Sequence, residues 1–237
     1  YLVGIHLFFG LVLLKSDFIQ RAGRKLGVAP VEEARPRSTS HFQRMLPYHS
    51  RMDKNLPDNA VIFIGDSMVQ GLSVSAVAAP AVNYGIGGDT TSGVLARLPA
   101  YDSLKKARAI VVAVGINDME IRDNAGILSN YAEILRRLPE DVPVIISAVL
   151  PVDEEIRTDW RGWNRDRIAP LNSELARLAH GSRNLHFVDA APLLVDPRGN
   201  LAGELHVGDG LHLNPQGNAV WIEVLRAAVA DAAPARE

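Results

Sequence analysis

Five short runs of the chain are almost wholly apolar, and each ends at a glycine or a polar turn. They are Ala60 to Gly65 (AVIFIG), Ala81 to Gly85 (AVNYG), Ala109 to Gly115 (AIVVAVG), Pro143 to Leu150 (PVIISAVL) and Leu185 to Ala190 (LHFVDA). Continuous runs of this length, without in-and-out alternation, mark strands covered on both faces. Between them the apolar spacing becomes helical. Ile127, Tyr131, Ile134 and Leu138 share one face, as do Ile168, Leu171, Leu175 and Leu178. Trp221, Val224, Leu225 and Ala228 repeat the pattern after Pro215, which suits a first helical turn because its missing N–H has no acceptor there. Strands that alternate with helices predict a parallel sheet between two helical layers. The expected fold is a three-layer α/β/α sandwich, a flavodoxin-like doubly wound sheet of about five parallel strands. In such sheets ligands bind beyond the carboxyl ends of the strands.

The chain before Asn59 follows another pattern. Tyr1 to Leu14 is apolar apart from His6, yet shorter than the roughly 20 residues of a membrane span. Residues 15–54 then carry nine Lys and Arg against four Asp and Glu. A basic collar beside an apolar run predicts contact with anionic lipid head groups. The expected organisation is an anchor or signal segment over 1–28, a linker and lead-in over 29–58, and a folded domain over 59–237. Membrane association through residues 1–25, or export, is the expected localisation, with the side of the membrane unassigned.

Composition narrows the function. Apolar residues at 47% and charged residues at 22% require a folded core and exclude intrinsic disorder. The net charge of -2 and 6% aromatics argue against a nucleic-acid partner, which calls for a basic surface and stacking platforms. Cysteine is absent, which excludes disulfides, a thiol nucleophile and Cys-ligated zinc.

The chemistry concentrates at predicted strand ends. The first strand ends in Gly65-Asp66-Ser67, the second runs into Gly85-Ile86-Gly87-Gly88-Asp89, and the third ends in Gly115-Ile116-Asn117-Asp118. Asp209-Gly210-Leu211-His212 precedes the last helix. Each block alone is equally readable as a capped turn. Their placement on one sheet edge suits acyl transfer, which needs a nucleophile, an imidazole base, a carboxylate to orient it and donors for an oxyanion. Ser67 would open a helix and supply the hydroxyl. His212 would take its proton, and Asp209, three residues earlier, would hold the ring. Gly88 allows close backbone approach and Asn117 adds a side-chain N–H.

These four blocks, in this order and spacing, resemble the signature blocks of the SGNH (GDSL) serine hydrolases over about Asn59 to Ala232. The resemblance implies a single-domain esterase, similar to the platelet-activating-factor acetylhydrolase-like and bacterial lysophospholipase-like members. It implies Ser67, His212 and Asp209 as catalytic residues, with Ser67 N–H, Gly88 N–H and the Asn117 side chain as the oxyanion hole. Small-molecule, lipid or sugar esters would be the substrates, with no cofactor and no metal. Met68 stands where the family has Leu. Gly87 replaces a polar residue, which leaves Gly85 or Gly87 as alternatives to Gly88.

Two other readings compete. A metal-dependent phosphoesterase would use Asp66, Asn117, Asp118 and His212 as ligands. A catalytically silent, membrane-tethered binding module would keep the fold without turnover. Asp66 and Asp118 are expected to be structural. Asp153, Glu154 and Glu155 read as a solvated acidic loop. Trp160 and Trp163 read either as an aromatic pair at the site rim or as loop packing. His180, His186 and His206 have no acid or Ser partner at suggestive spacing, and His206, on the approach to Asp209, would line the site.

Overall fold

The computed structural model describes residues 39–158 and 163–234. The expected anchor over 1–28, the first part of the linker and Trp160 lie outside the described residues. Among the described residues no helix is long and apolar enough to cross a membrane.

The apolar runs form five strands: β1 (Val61–Gly65), β2 (Ala81–Gly85), β3 (Ala109–Ala113), β4 (Val144–Ser147) and β5 (Leu185–Val188). All neighbours pair in parallel, in the order β2-β1-β3-β4-β5. That is the flavodoxin-like order, with its switch point beside β1. The helices are α1 (Ser40–Asp53), α2 (Ser67–Gln70), α3 (Thr91–Arg97), α4 (Asn124–Arg137), α5 (Arg165–Ala179) and α6 (Pro215–Ala232).

Strand alternation divides the core into two layers. Ile62, Ile64, Ile110, Val112 and Ile146 pack with residues of α3, α4 and α5. Val61, Phe63, Val111 and Ile145 face the other way, onto Trp221, Leu225 and Val229 of α6. Residues on both faces of β1 and β3 are buried, which is why these strands read as unbroken apolar runs. β5 departs from the expectation: its residues are only partly buried, because it is an edge strand with a neighbour on one side only.

The lead-in contains more structure than its sequence suggests. Thr39 caps α1 by accepting the Phe42 N–H at 3.0 Å. The helix then docks through polar residues. Asp53 accepts the Tyr84 hydroxyl at 3.0 Å, the Asp102 N–H at 2.8 Å and the Ser103 hydroxyl. His49 Nδ1 lies 2.9 Å from the Tyr101 hydroxyl.

The register places the site. Gly65 stands level with Gly85 on one side and Ala113 on the other. The three turns that follow therefore leave the sheet at one edge.

Candidate active site

Ser67 sits where β1 turns sharply into α2. A Cβ on Gly65 would come within 2.1 Å of the Ala113 carbonyl oxygen, so only glycine fits this crossing. Asp66 caps the helix, its Oδ1 accepting the Met68 N–H at 3.0 Å. Ser67 is the first helical residue, so its N–H has no intrahelical acceptor.

His212 arrives on a turn organised by Asp209. Asp209 Oδ1 accepts the N–H groups of Leu211 at 3.0 Å and His212 at 2.9 Å. Its Oδ2 lies 2.6 Å from His212 Nδ1, and His212 Nε2 lies 2.9 Å from Ser67 Oγ. The carboxylate only accepts, so the ring proton sits on Nδ1 and the Nε2 lone pair faces the serine hydroxyl. Partial burial alone would raise the Asp209 carboxyl. The bonds from the His212 ring and from the His212 and Leu211 N–H groups outweigh it and hold the group at about 2.

The opposite rim is made by the turn after β2 and the end of β3. Gly88 has φ +75°, a left-handed conformation that favours glycine, and its N–H finds no acceptor among the described residues. The Gly87 N–H is taken up by Gln70 Oε1, which removes it from the candidate donors. Asn117 is buried and donates one amide hydrogen to the Asp89 carbonyl at 2.9 Å. A second amide hydrogen remains on the same nitrogen.

Behind this rim lies Arg97, with no accessible side-chain surface. It donates to Asp89 Oδ2 at 2.8 Å, to the Tyr84 carbonyl and Tyr101 hydroxyl at 2.8 Å, and to the Gly65 carbonyl at 3.0 Å. One guanidinium thus ties the ends of β1 and β2 to the Gly88 turn. Sequence reasoning missed it, since nothing near Arg97 in the chain announces four distant acceptors.

Asp66 and Asp118 are both buried and bonded within the fold. Burial, with Asp89 and Asp118 nearby, pushes Asp66 up to about 7 against the pull of the Met68 N–H and Arg97. Burial likewise raises Asp118 to about 6, although Thr91 donates to it and Arg122 pairs with it at 3.0 Å. Those donors occupy the Asp118 oxygens that a metal would need. Among the described residues no three His, Asp or Glu side chains gather as a metal cluster.

The acidic loop is not merely solvated. Asp153 accepts the Glu155 N–H, Glu154 accepts the Arg165 N–H, and Glu155 pairs with Arg198. His206 is buried and has partners that its spacing did not suggest. Its Nδ1 accepts the Gly208 N–H at 3.0 Å and the Gly210 N–H at 3.2 Å, and its Nε2 faces Asp153 Oδ2 at 3.6 Å. It shapes the turn that carries Asp209. Trp163 is buried in the core, the packing alternative for that residue. Arg157, passed over in the sequence, reaches Asp209 Oδ2 at 3.2 Å.

A cavity of about 20 Å³ lies beside the site. Its lining includes Asp66, Met68, Ile116, Leu211 and Trp221, but not Ser67, Gly88, Asn117 or His212.

The GDSL-like lipase/acylhydrolase family model matches residues 63–220, which span every site block described above. The chain belongs to this family. Membership makes this GDSL-like protein a hydrolase of esters. It is 29% identical over 189 residues to platelet-activating factor acetylhydrolase IB subunit alpha1 of Rattus norvegicus, covering 73% of this chain and 77% of the relative. Over 123 residues it is 32% identical to the alpha2 subunit of Homo sapiens, covering 47% of this chain and 54% of the relative. Among solved structures, the lipase/acylhydrolase from Enterococcus faecalis superposes with a TM-score of 0.61 at 21% identity, covering 76% of this chain and 100% of that one. That likeness concerns the fold.

Proposed function

We propose that this GDSL-like hydrolase cleaves carboxylic esters through a Ser67-His212-Asp209 triad, with an oxyanion hole of Ser67 N–H, Gly88 N–H and the Asn117 side chain. The observation that carries the reading is the relay of 2.9 Å from Ser67 Oγ to His212 Nε2 and 2.6 Å from His212 Nδ1 to Asp209 Oδ2. Ser67 Oγ attacks the ester carbonyl carbon as His212 Nε2 takes its proton. The carbonyl oxygen becomes an oxyanion and meets the three donors. His212 then protonates the leaving alkoxide, leaving an acyl group on Ser67. Water attacks this ester, gives one proton to His212, and the acid departs as Ser67 recovers its hydrogen.

A relative named for acetyl hydrolysis supports a short acyl group. The alcohol side opens to solvent, where His212 and Asp209 are 40% and 34% exposed. A lipid or sugar alcohol would extend that way.

Replacing Ser67 by Ala tests the reading. Turnover of an aryl acetate should fall about 10⁴-fold or more, and labelling by a fluorophosphonate should vanish. Near-normal turnover in Ser67→Ala would overturn it.

A further inference from the structure

Arg157 comes from the loop between β4 and α5 and grips the residue that orients the imidazole. Its Nη2 lies 3.2 Å from Asp209 Oδ2, the oxygen that also meets His212 Nδ1 at 2.6 Å. Its Nε donates to the Asp209 main-chain oxygen. A planar guanidinium bound at two points fixes direction as well as charge. Arg157 is itself held from behind. Its guanidinium carbon lies 5.4 Å from the centre of the Trp163 ring, which is buried. Its N–H donates to the Asp153 carbonyl, and the Asp153 N–H donates to the Gly210 carbonyl. Backbone and side chain together join this loop to the Asp209 turn.

We propose that Arg157 is a positioning residue of the hydrolytic machinery: it sets the angle of the Asp209 carboxylate against the His212 ring and places a fixed positive charge beside it. The proposal rests on the hydrolytic reading of Ser67, His212 and Asp209. Asp209 Oδ1 is anchored by two N–H groups of its own turn, whereas Oδ2 must face the ring. The Arg157 fork holds that second oxygen in place. Its charge also shares Oδ2 with His212, so it opposes the second positive charge that forms when His212 takes a proton.

Other ionisable groups surround the pair. Asp153 and His206 stand behind the turn, 3.6 Å apart. Asp66 is buried beneath Ser67, and His41 of α1 meets Gln70 at 3.1 Å. α2 itself carries no charge. None of these contacts Oδ2, the oxygen that Arg157 shares with the ring.

The test follows kcat and kcat/KM against pH for wild type, Arg157→Gln and Arg157→Lys on a short aryl ester, with Ser67→Ala alongside. The two contacts at Oδ2 bring the guanidinium within about 6 Å of the ring, so losing its charge should move the acid limb of kcat/KM up by about 0.5 pH unit or more, even in a water-like dielectric. In Arg157→Gln that limb moves and kcat falls about tenfold, with KM little changed. In Arg157→Lys the charge stays and the fork is lost, so kcat falls while the limb holds its place. Equal losses in both variants with an unmoved limb overturn the proposal, as does wild-type kcat in Arg157→Gln. If the Gln variant does not fold, the Lys variant decides: a limb displaced as far as 0.5 unit overturns it. Wild-type turnover in Ser67→Ala would instead bring down the hydrolytic reading beneath it.

Discussion

Asp89 and Arg97 form an ion pair at 2.8 Å with 2% and 0% of their side-chain surfaces exposed. The pair sits behind the Gly88 turn, and the same guanidinium holds the carbonyls at the ends of β1 and β2. Burial holds the Asp89 carboxyl above the ordinary carboxylate range, and Arg97 and the Thr90 N–H offset only part of that rise. Replacing Arg97 by Met leaves that carboxylate buried without a counter-charge, at a cost of about 3 to 5 kcal/mol. Thermal unfolding should show the midpoint falling by about 10 °C. Pairing the change with Asp89→Asn should restore part of the loss. An unchanged midpoint in Arg97→Met would remove the clamp from this account.

The proposed oxyanion role of Asn117 uses one amide hydrogen while the other holds the Asp89 carbonyl. Asn117→Ala should lower kcat about 10²-fold or more on an aryl acetate, with a smaller effect on KM. Steady-state kinetics on folded protein decide this. An effect confined to a rise in KM would assign Asn117 to substrate binding.

Gly88 presents a different case. A Cβ there meets no atom within 4 Å, so substitution adds strain and no clash. The strain comes from φ +75° and amounts to about 1 to 2 kcal/mol. Gly88→Ala should therefore fold and lose about that much in a denaturant titration, and its kcat should fall only as far as the strained turn swings the N–H off its direction. Wild-type stability would contradict the left-handed turn.

Two buried groups give stability a pH dependence of opposite sign. His49 is held down at about 4, first by burial and then by the Arg97 charge, below its ordinary 6.5. Its unfolded form binds a proton first, so stability is lost as pH falls from about 6.5 towards 4. Asp66 is raised from 3.8 to about 7 and binds its proton more tightly when folded. Stability is therefore lost as pH rises from about 4 through 7. Asp66→Asn keeps an acceptor for the Met68 N–H and should flatten that upper slope, leaving the Asp118 part. Denaturant melts at pH 5 and pH 8 measure it. An equal slope in the variant would show that Asp66 does not titrate in this range.

Much of this architecture was readable in the chain. Hydrophobic burial is a local pattern, and AIVVAVG, rich in β-branched residues, reads as a strand covered on both sides. α4, α5 and α6 likewise bury apolar residues at helical spacing, such as Ile127, Tyr131 and Ile134. The turns that carry Ser67, Gly88 and Asn117 were legible because a chain leaving a strand needs Gly and capping residues there.

α1 and α3 were not legible, and the reason is the same for both. α1 buries His49 and Asp53 along with Phe42, and α3 buries Thr91, Ser92 and Arg97. Such faces look exposed in a hydropathy pattern. They become interior only because distant groups satisfy them: Tyr101 for His49, Ser103 for Asp53, and Asp89 with the strand carbonyls for Arg97. The same holds for Arg157 on Asp209, and for Ser67 and His212, which meet across 145 positions. Burying apolar side chains needs only the right period along one element. Hydrogen bonds need two particular atoms brought together at a fixed distance and direction, and only the folded chain brings them together.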